Sequence, residues 1–164
     1  MLSYLEKATQ EIAKERDAVI ERLVAFSQTD MLLFWGSDAE LVARQEKVWA
    51  PLLKWGASEL KTTVKPTNTL DVTGENKNLS AVLSAYLHSF SDRELAAFYV
   101  AALNMKSVLL AIALVKKRLN AREAFEAAYL EELWQAEKWG VEEEAENRRH
   151  EMLKELQDVE AFLR

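Results

Sequence analysis

An all-α fold, or a mainly α one, is what this sequence predicts, and three observations predict it. Glycine and proline are scarce, 4 and 2 in 164 residues, too few for the turns of an all-β chain. Apolar residues recur at helical spacing along most of the chain. Helix-start patterns stand where those stripes begin, most plainly "SDRE" at Ser91 to Glu94, where an N-cap acceptor is answered by glutamate three positions later. The length suits one compact multi-helix domain over residues 1–164, with at most a small two-stranded β-ribbon.

Residues 3–14 and 16–28 read as two helices or one bent helix. Leu5, Ala8 and Ile12 make one stripe, and Val19, Ile20, Leu23, Val24 and Phe26 continue it. "DMLLFW", Asp30 to Trp35, is a short apolar run closed by Gly36, as a buried strand would be. A helix follows from Ser37 or Asp38, and Pro51 kinks or restarts it. Lys61 to Lys65 could pair with Asp30–Trp35 as the ribbon, which would need helices packed on it. The loop-like zone "KTTVKPTNTLDVTGENKN" then separates two helical halves. Beyond it lie the "SDRE" start, the looser "NARE" start at Asn120 to Glu123, and a last helix over Glu142 to Leu163. Ala145, Met152, Leu156, Val159 and Leu163 form the seam of that helix.

The run Leu95 to Val115 is long enough to raise a membrane span. Asn104 and Lys106 stand at its middle, however, where a lysine costs about 2.5–3.5 kcal/mol on the lenient insertion scale. Two buried helices meeting near Asn104 are the better reading, and Ser107 to Val115, apolar all round, would be the central one. No membrane insertion is expected. The N-terminus carries acids early and lacks the apolar stretch of a secretory leader.

Composition excludes several chemistries. With no cysteine there are no disulfides, zinc fingers or thiol nucleophiles. A net charge of −6 argues against nucleic acid as a partner. Neither His88 nor His150 has a glutamate three residues before it, so the di-metal bundle pattern is missing, and Glu146 with His150 reads as a solvated pair. Nucleotide-binding loops and nucleophile elbows are also missing. The chain is expected to be no enzyme and to hold no cofactor or metal.

The stretch "ELWQAEKWG", Glu132 to Gly140, is the most informative. Trp134 and Trp139 lie five steps of ~100° apart, roughly 140° around a helix, so one buried stripe cannot easily hold both. Read as a single helix from Ala121 to Trp139, one stripe holds Ala121, Phe125, Ala128, Tyr129, Leu133, Ala136 and Trp139. Ala127, Leu130 and Trp134 face the other way. Glu132 falls inside the first stripe and needs a helix end or a cation to satisfy it. Either neighbours sandwich the helix, or one acid-rimmed apolar patch receives a partner protein. From Asn120 onward the acids concentrate, with "VEEEAE" directly after Gly140.

Three motifs carry a family resemblance. "WQAEKWGVEEEA", Trp134 to Ala145, resembles the closing signature of the assembly chaperones for the alpha subunit of the F1 sector of ATP synthase, W-Q-x-E-x-W-G followed by acids. "RQEKVWAPLLKW", Arg44 to Trp55, is similar to that family's R-Q-x-x-x-W-x-P-x-x-x-W. "SVLLAIA", Ser107 to Ala113, resembles its central small-residue-rich helix. The order and spacing agree across nearly the whole chain. Departures are Leu33, Phe34 and Trp35 where the family carries Cys-aromatic-Arg, Lys106 where it favours glycine, and Glu131 where it favours aspartate.

The resemblance implies a helical domain like the family's C-terminal one, without the β-rich domain that precedes it in family members. It implies a monomeric chaperone that occupies unassembled F1 alpha subunit until the beta subunit displaces it, in a bacterial cytoplasm or a mitochondrial matrix. Glu131, Trp134, Glu137, Trp139, Glu142 and Glu143 would meet that client. Arg44, Gln45, Trp49, Pro51, Trp55, Ser107 and Gly140 would be structural, with Trp49 and Trp55 joined by Leu52 and Leu53 into one apolar face. The alternative is a helical interaction domain with a different partner.

Overall fold

Asp30 is the residue around which the front of the fold is organised. The computed structural model describes residues 3–66 and 78–164. Two N-terminal helices, α1 (Ser3–Lys14) and α2 (Arg16–Phe26), are separated only at Glu15. A 3-10 turn, Ser27–Thr29, then leads into a second one, Met31–Leu33. The expected Asp30–Trp35 strand is therefore a helical turn over Met31–Leu33 followed by one extended bridge residue, Phe34, and Lys61–Lys65 forms no regular element, so the ribbon between these two segments is not seen among the described residues. The cause is Asp30. Its Oδ1 accepts from the Leu32 N–H at 3.0 Å and from the Ser107 hydroxyl at 2.7 Å, and its Oδ2 accepts from the Leu109 N–H at 2.9 Å. A carboxylate holding its own turn and a distant helix start coils Met31–Leu33 and leaves Phe34 as a single extended bridge residue rather than a strand.

Asp38 caps the long α3 (Ala39–Leu60), accepting from the Glu40 and Leu41 N–H groups. The helix runs through Pro51 rather than restarting there. Proline removes one donor, which orphans the Lys47 carbonyl, but Pro51 and Lys47 are both exposed, where water can serve that carbonyl. On the buried side Gly56 admits α6, since a Cβ there would lie 3.3 Å from Leu109 Cδ2. After α4 (Leu79–His88) the two capping boxes form as their sequences predict. Ser91 with Glu94 opens α5 (Asp92–Met105), and Asn120 with Glu123 opens α7 (Ala121–Ala128).

The apolar run breaks where expected. Lys106 takes φ 55, the left-handed cap that favours glycine, and Ser107 caps α6 (Val108–Val115) by accepting from the Leu110 N–H. Every residue from Ser107 to Val115 is buried, with α5 and α3 packed against α6. Among the described residues no helix is long and apolar enough to cross a membrane.

The expected single helix from Ala121 to Trp139 is two, α7 and α8 (Leu130–Trp139), separated at Tyr129. Tyr129 turns its hydroxyl to donate to the Asn104 carbonyl at 3.0 Å, and that anchor coincides with the break. Separation lets α7 pack on α9 (Glu143–Phe162) while α8 packs on α3. The α9 seam differs from the expected one. Leu156 and Val159 are buried, but Arg149, Leu153 and Phe162 join them, while Ala145, Met152 and Leu163 sit at the edge. The α7–α9 pairing turns the helix toward Leu153 and Phe162.

Candidate client-binding surface

The outer corner of α8 begins from which of its stripes the fold buries. Ala127, Leu130 and Trp134 are buried, with α8 lying on α3. Trp49 of α3 is 1% exposed and donates its indole N–H to the Ala127 carbonyl at 2.8 Å. Trp49 is thus buried and bonded across to α7, and Trp55 is half-buried against the same core. The opposite stripe is only partly covered. Phe125 is buried, Leu133 and Ala136 are half-buried, and Trp139 stands 73% exposed.

Trp134 corrects its assignment as a client contact. At 5% exposure it lies beneath the surface, and a buried indole offers a partner almost no area. It supports Trp139 instead, the two rings meeting edge to face with centroids 5.5 Å apart at 84°. The Trp134 indole N–H makes no bond of good geometry, although it lies near enough to the Glu40 carboxylate to favour that group's charged form.

The rim of the α3–α8 contact is an ion-pair lattice. Arg44 pairs with Glu137, a second guanidinium N–H reaching its other oxygen at 3.3 Å, and Lys138 meets Glu40 at 2.6 Å. The hydrogen bond from Lys138 holds the Glu40 carboxyl below the usual range, and that from Arg44 does the same for Glu137. Glu137 is exposed as expected, but it is engaged with its own protein rather than free. Beside Arg44, Gln45 is fully buried. Its Oε1 accepts from the Gly36 N–H at 3.1 Å, which fixes the turn ahead of α3.

Glu132 finds the cations its position required. Arg148 and the 6%-exposed Arg149 both donate to its Oε1, at 2.9 and 3.2 Å, and this ties α8 to α9. Between those helices Gly140 caps α8 at φ 96 and ψ 161, a conformation that L residues rarely adopt. Gly140→Ala should destabilise by about 1–3 kcal/mol through backbone strain alone, because no atom lies within 4 Å of the added methyl. A denaturant melt unchanged from wild type would contradict this.

Directly after Gly140 stands a residue the sequence reading passed over. Val141 is 60% exposed, and the signal for it was there, a lone β-branched residue in an acidic segment. It lies between two open troughs. One is lined by Gln135, Trp139, Glu142, Ala145 and Arg148, the other by Phe125, Leu133, Ala136, Glu146 and Leu153. Glu142 and Glu143 are exposed here, and Glu131 is exposed at the other end of α8, beside Asn104 and Lys106. Glu142 is the N-cap of α9 but makes no side-chain capping bond. Among the described residues these acids have no ion-pair partner. The corner thus combines exposed apolar area with unpaired negative charge.

Comparison with known proteins agrees with this architecture. A family model described as ATP12 chaperone protein matches residues 1–57, which take in the Arg44–Trp55 motif but not the Trp134–Ala145 one. The fold is similar to the crystal structure of Atp12 from Paracoccus denitrificans, with a TM-score of 0.88 and 29% identity over 95% of this chain and 67% of that one. An aspartate-to-lysine mutant of the same protein superposes with a TM-score of 0.89 at 29% identity and the same coverage. The Atu1473 protein of Agrobacterium tumefaciens gives 0.82 at 30% identity, over 96% of this chain and 60% of that one. In its motifs, in the family match over residues 1–57 and in its fold, the chain is similar to the ATP12 chaperone proteins.

Proposed function

We propose that this chain binds the unassembled alpha subunit of the F1 sector of ATP synthase and keeps it soluble for assembly with beta, without catalysing a reaction. The observation that carries this reading is the corner at Trp139, Gly140 and Val141, where exposed apolar area adjoins unpaired acids. A subunit made ahead of its partner presents an interface that would otherwise aggregate, and such an interface needs apolar cover. Glu131, Trp139, Glu142 and Glu143 would meet the client, with Trp134 holding Trp139 from beneath. Glu137 would act through its pairing with Arg44, which keeps α8 in place. The chaperone would work as a monomer in a bacterial cytoplasm or a mitochondrial matrix.

Charge reversal at the corner tests this. Glu142 is exposed and makes no capping bond, so Glu142→Lys should leave circular dichroism and the melting temperature nearly unchanged. Binding to purified F1 alpha subunit should weaken, because the new lysine faces a basic patch. The loss should shrink in high salt, which screens charges beyond roughly 8–10 Å at physiological strength. Normal binding at low salt would move the client surface elsewhere. Unfolding of the variant would make the acid a structural one. Recovery of some other dominant partner by the wild-type chain from its native extract would favour an interaction domain with a different client.

A further inference from the structure

The two troughs on either side of Val141 differ in what they can hold, and the difference specifies a partner. One has an apolar floor, made by the buried Phe125 and Leu153 and the half-buried Leu133 and Ala136. The other is bounded by the exposed Trp139 and by Glu142. We infer that this surface seats a protein segment carrying a large apolar side chain next to an arginine, the apolar group entering the first trough and the guanidinium lying over Trp139 toward Glu142. The inference rests on the reading of this corner as the client surface, and it adds what the client segment must contain.

Charge sets the sign of the partner. The ionic groups lining the two troughs are largely satisfied within the chain: Glu132 by Arg148 and Arg149, Glu137 by Arg44, Arg122 by Glu126 at 3.9 Å. Apart from His150 in the second trough, the groups left without an ion pair among the described residues are acidic, Glu142 in one trough and Glu146 in the other, with Glu143 and Glu144 between them in sequence. Arg148 and Arg149 share the one carboxylate of Glu132 and keep one positive charge over, but Glu142, Glu143, Glu144 and Glu146 outnumber it, so an approaching cation meets a net negative field. An approaching acid meets like charge.

Shape selects arginine over lysine. Trp139 is braced edge-on by the buried Trp134, which holds its ring in a set orientation while most of its surface stays open. A planar guanidinium can stack on an indole and still present a fork of donors to a carboxylate, which a compact ammonium cannot do at once. Glu142 is suited to receive that fork because its carboxylate caps nothing. Val141, placed by the positive-φ turn at Gly140, is the ridge between the troughs, so one short segment could straddle it.

The test uses the full chain and three dye-labelled amphipathic helical peptides with the same leucine face, flanked by arginine, lysine or glutamate. Fluorescence anisotropy at low salt should show the arginine peptide binding, the lysine peptide several-fold more weakly, and the glutamate peptide not at all. Val141→Asp and Trp139→Ala, both at exposed positions, should each weaken the arginine peptide by about tenfold with unchanged melts. Equal binding of all three peptides, or indifference to both variants, would overturn the inference. If the arginine peptide behaves as described but F1 alpha subunit does not bind, the dock stands and the client identity falls. If F1 alpha subunit binds wild type and Val141→Asp alike while no peptide binds, the client identity stands and this dock is wrong.

Discussion

Trp49→Ala should destabilise the protein by about 3–5 kcal/mol, the range for removing a large aromatic side chain from a packed core. The ring is 1% exposed, its edge meets Trp35 with centroids 6.5 Å apart, and its N–H serves the Ala127 carbonyl at the end of α7. Truncation opens a cavity between α3 and the α7–α8 break and removes the bond that joins them. Trp49→Phe should cost clearly less, since most of the volume remains and only the hydrogen bond is lost. Urea denaturation of both variants checks the pair. A Trp49→Ala variant as stable as wild type that no longer bound client would overturn the structural assignment.

Asp30→Ala should cost about 2–4 kcal/mol at pH 5, because it strands buried N–H and O–H donors. The lost acceptor serves Leu32, Ser107 and Leu109, at the junction of the 3-10 turn with α6. The penalty should depend on pH in a definite direction. Burial pushes the Asp30 carboxyl up to about 6 from 3.8, against the hydrogen bonds from Leu109, Ser107, Leu32 and Val108 that favour its charged form. The folded state therefore binds this proton more tightly than the unfolded one. That stabilisation is full below pH 3.8 and is lost as pH rises through 6. The gap between wild type and Asp30→Ala should accordingly narrow by about 1–2 kcal/mol between pH 5 and pH 7.5. Denaturant melts at both values decide it, and a gap that widened with pH would show that the hydrogen bonds outweigh burial.

Much of the fold was legible because its starts are written in local chemistry. Ser91 with Glu94 and Asn120 with Glu123 form capping boxes from residues three apart, and Asp38 caps α3 within three residues. The α5–α6 break was legible too, because Asn104 and Lys106 interrupt an otherwise apolar run. Asp30–Trp35 was not, since a short apolar run has no period of its own, and the partner that decides its shape lies 77 positions away at Ser107. The break at Tyr129 likewise coincides with a bond to an acceptor at Asn104, 25 positions back. At the corner, angular spacing separated the two tryptophans correctly but could not say which stripe turns inward. The packing on α3 decided that, burying Trp134 and leaving Trp139 out. Glu132 declared its need for a cation from its place in the stripe, whereas the Arg44–Glu137 bridge joins residues 93 apart and left no local trace.

The most direct test of the chaperone reading is the amount of F1 alpha subunit that stays soluble when it is made with this chain and without the beta subunit. The account predicts that alpha subunit accumulates in the soluble fraction and co-purifies with the wild-type chain. It also predicts that a folded chain carrying both Trp139→Ala and Glu142→Lys leaves it in the pellet. Alpha subunit that precipitates equally with the wild-type chain, with the double variant and with no chain at all would contradict it.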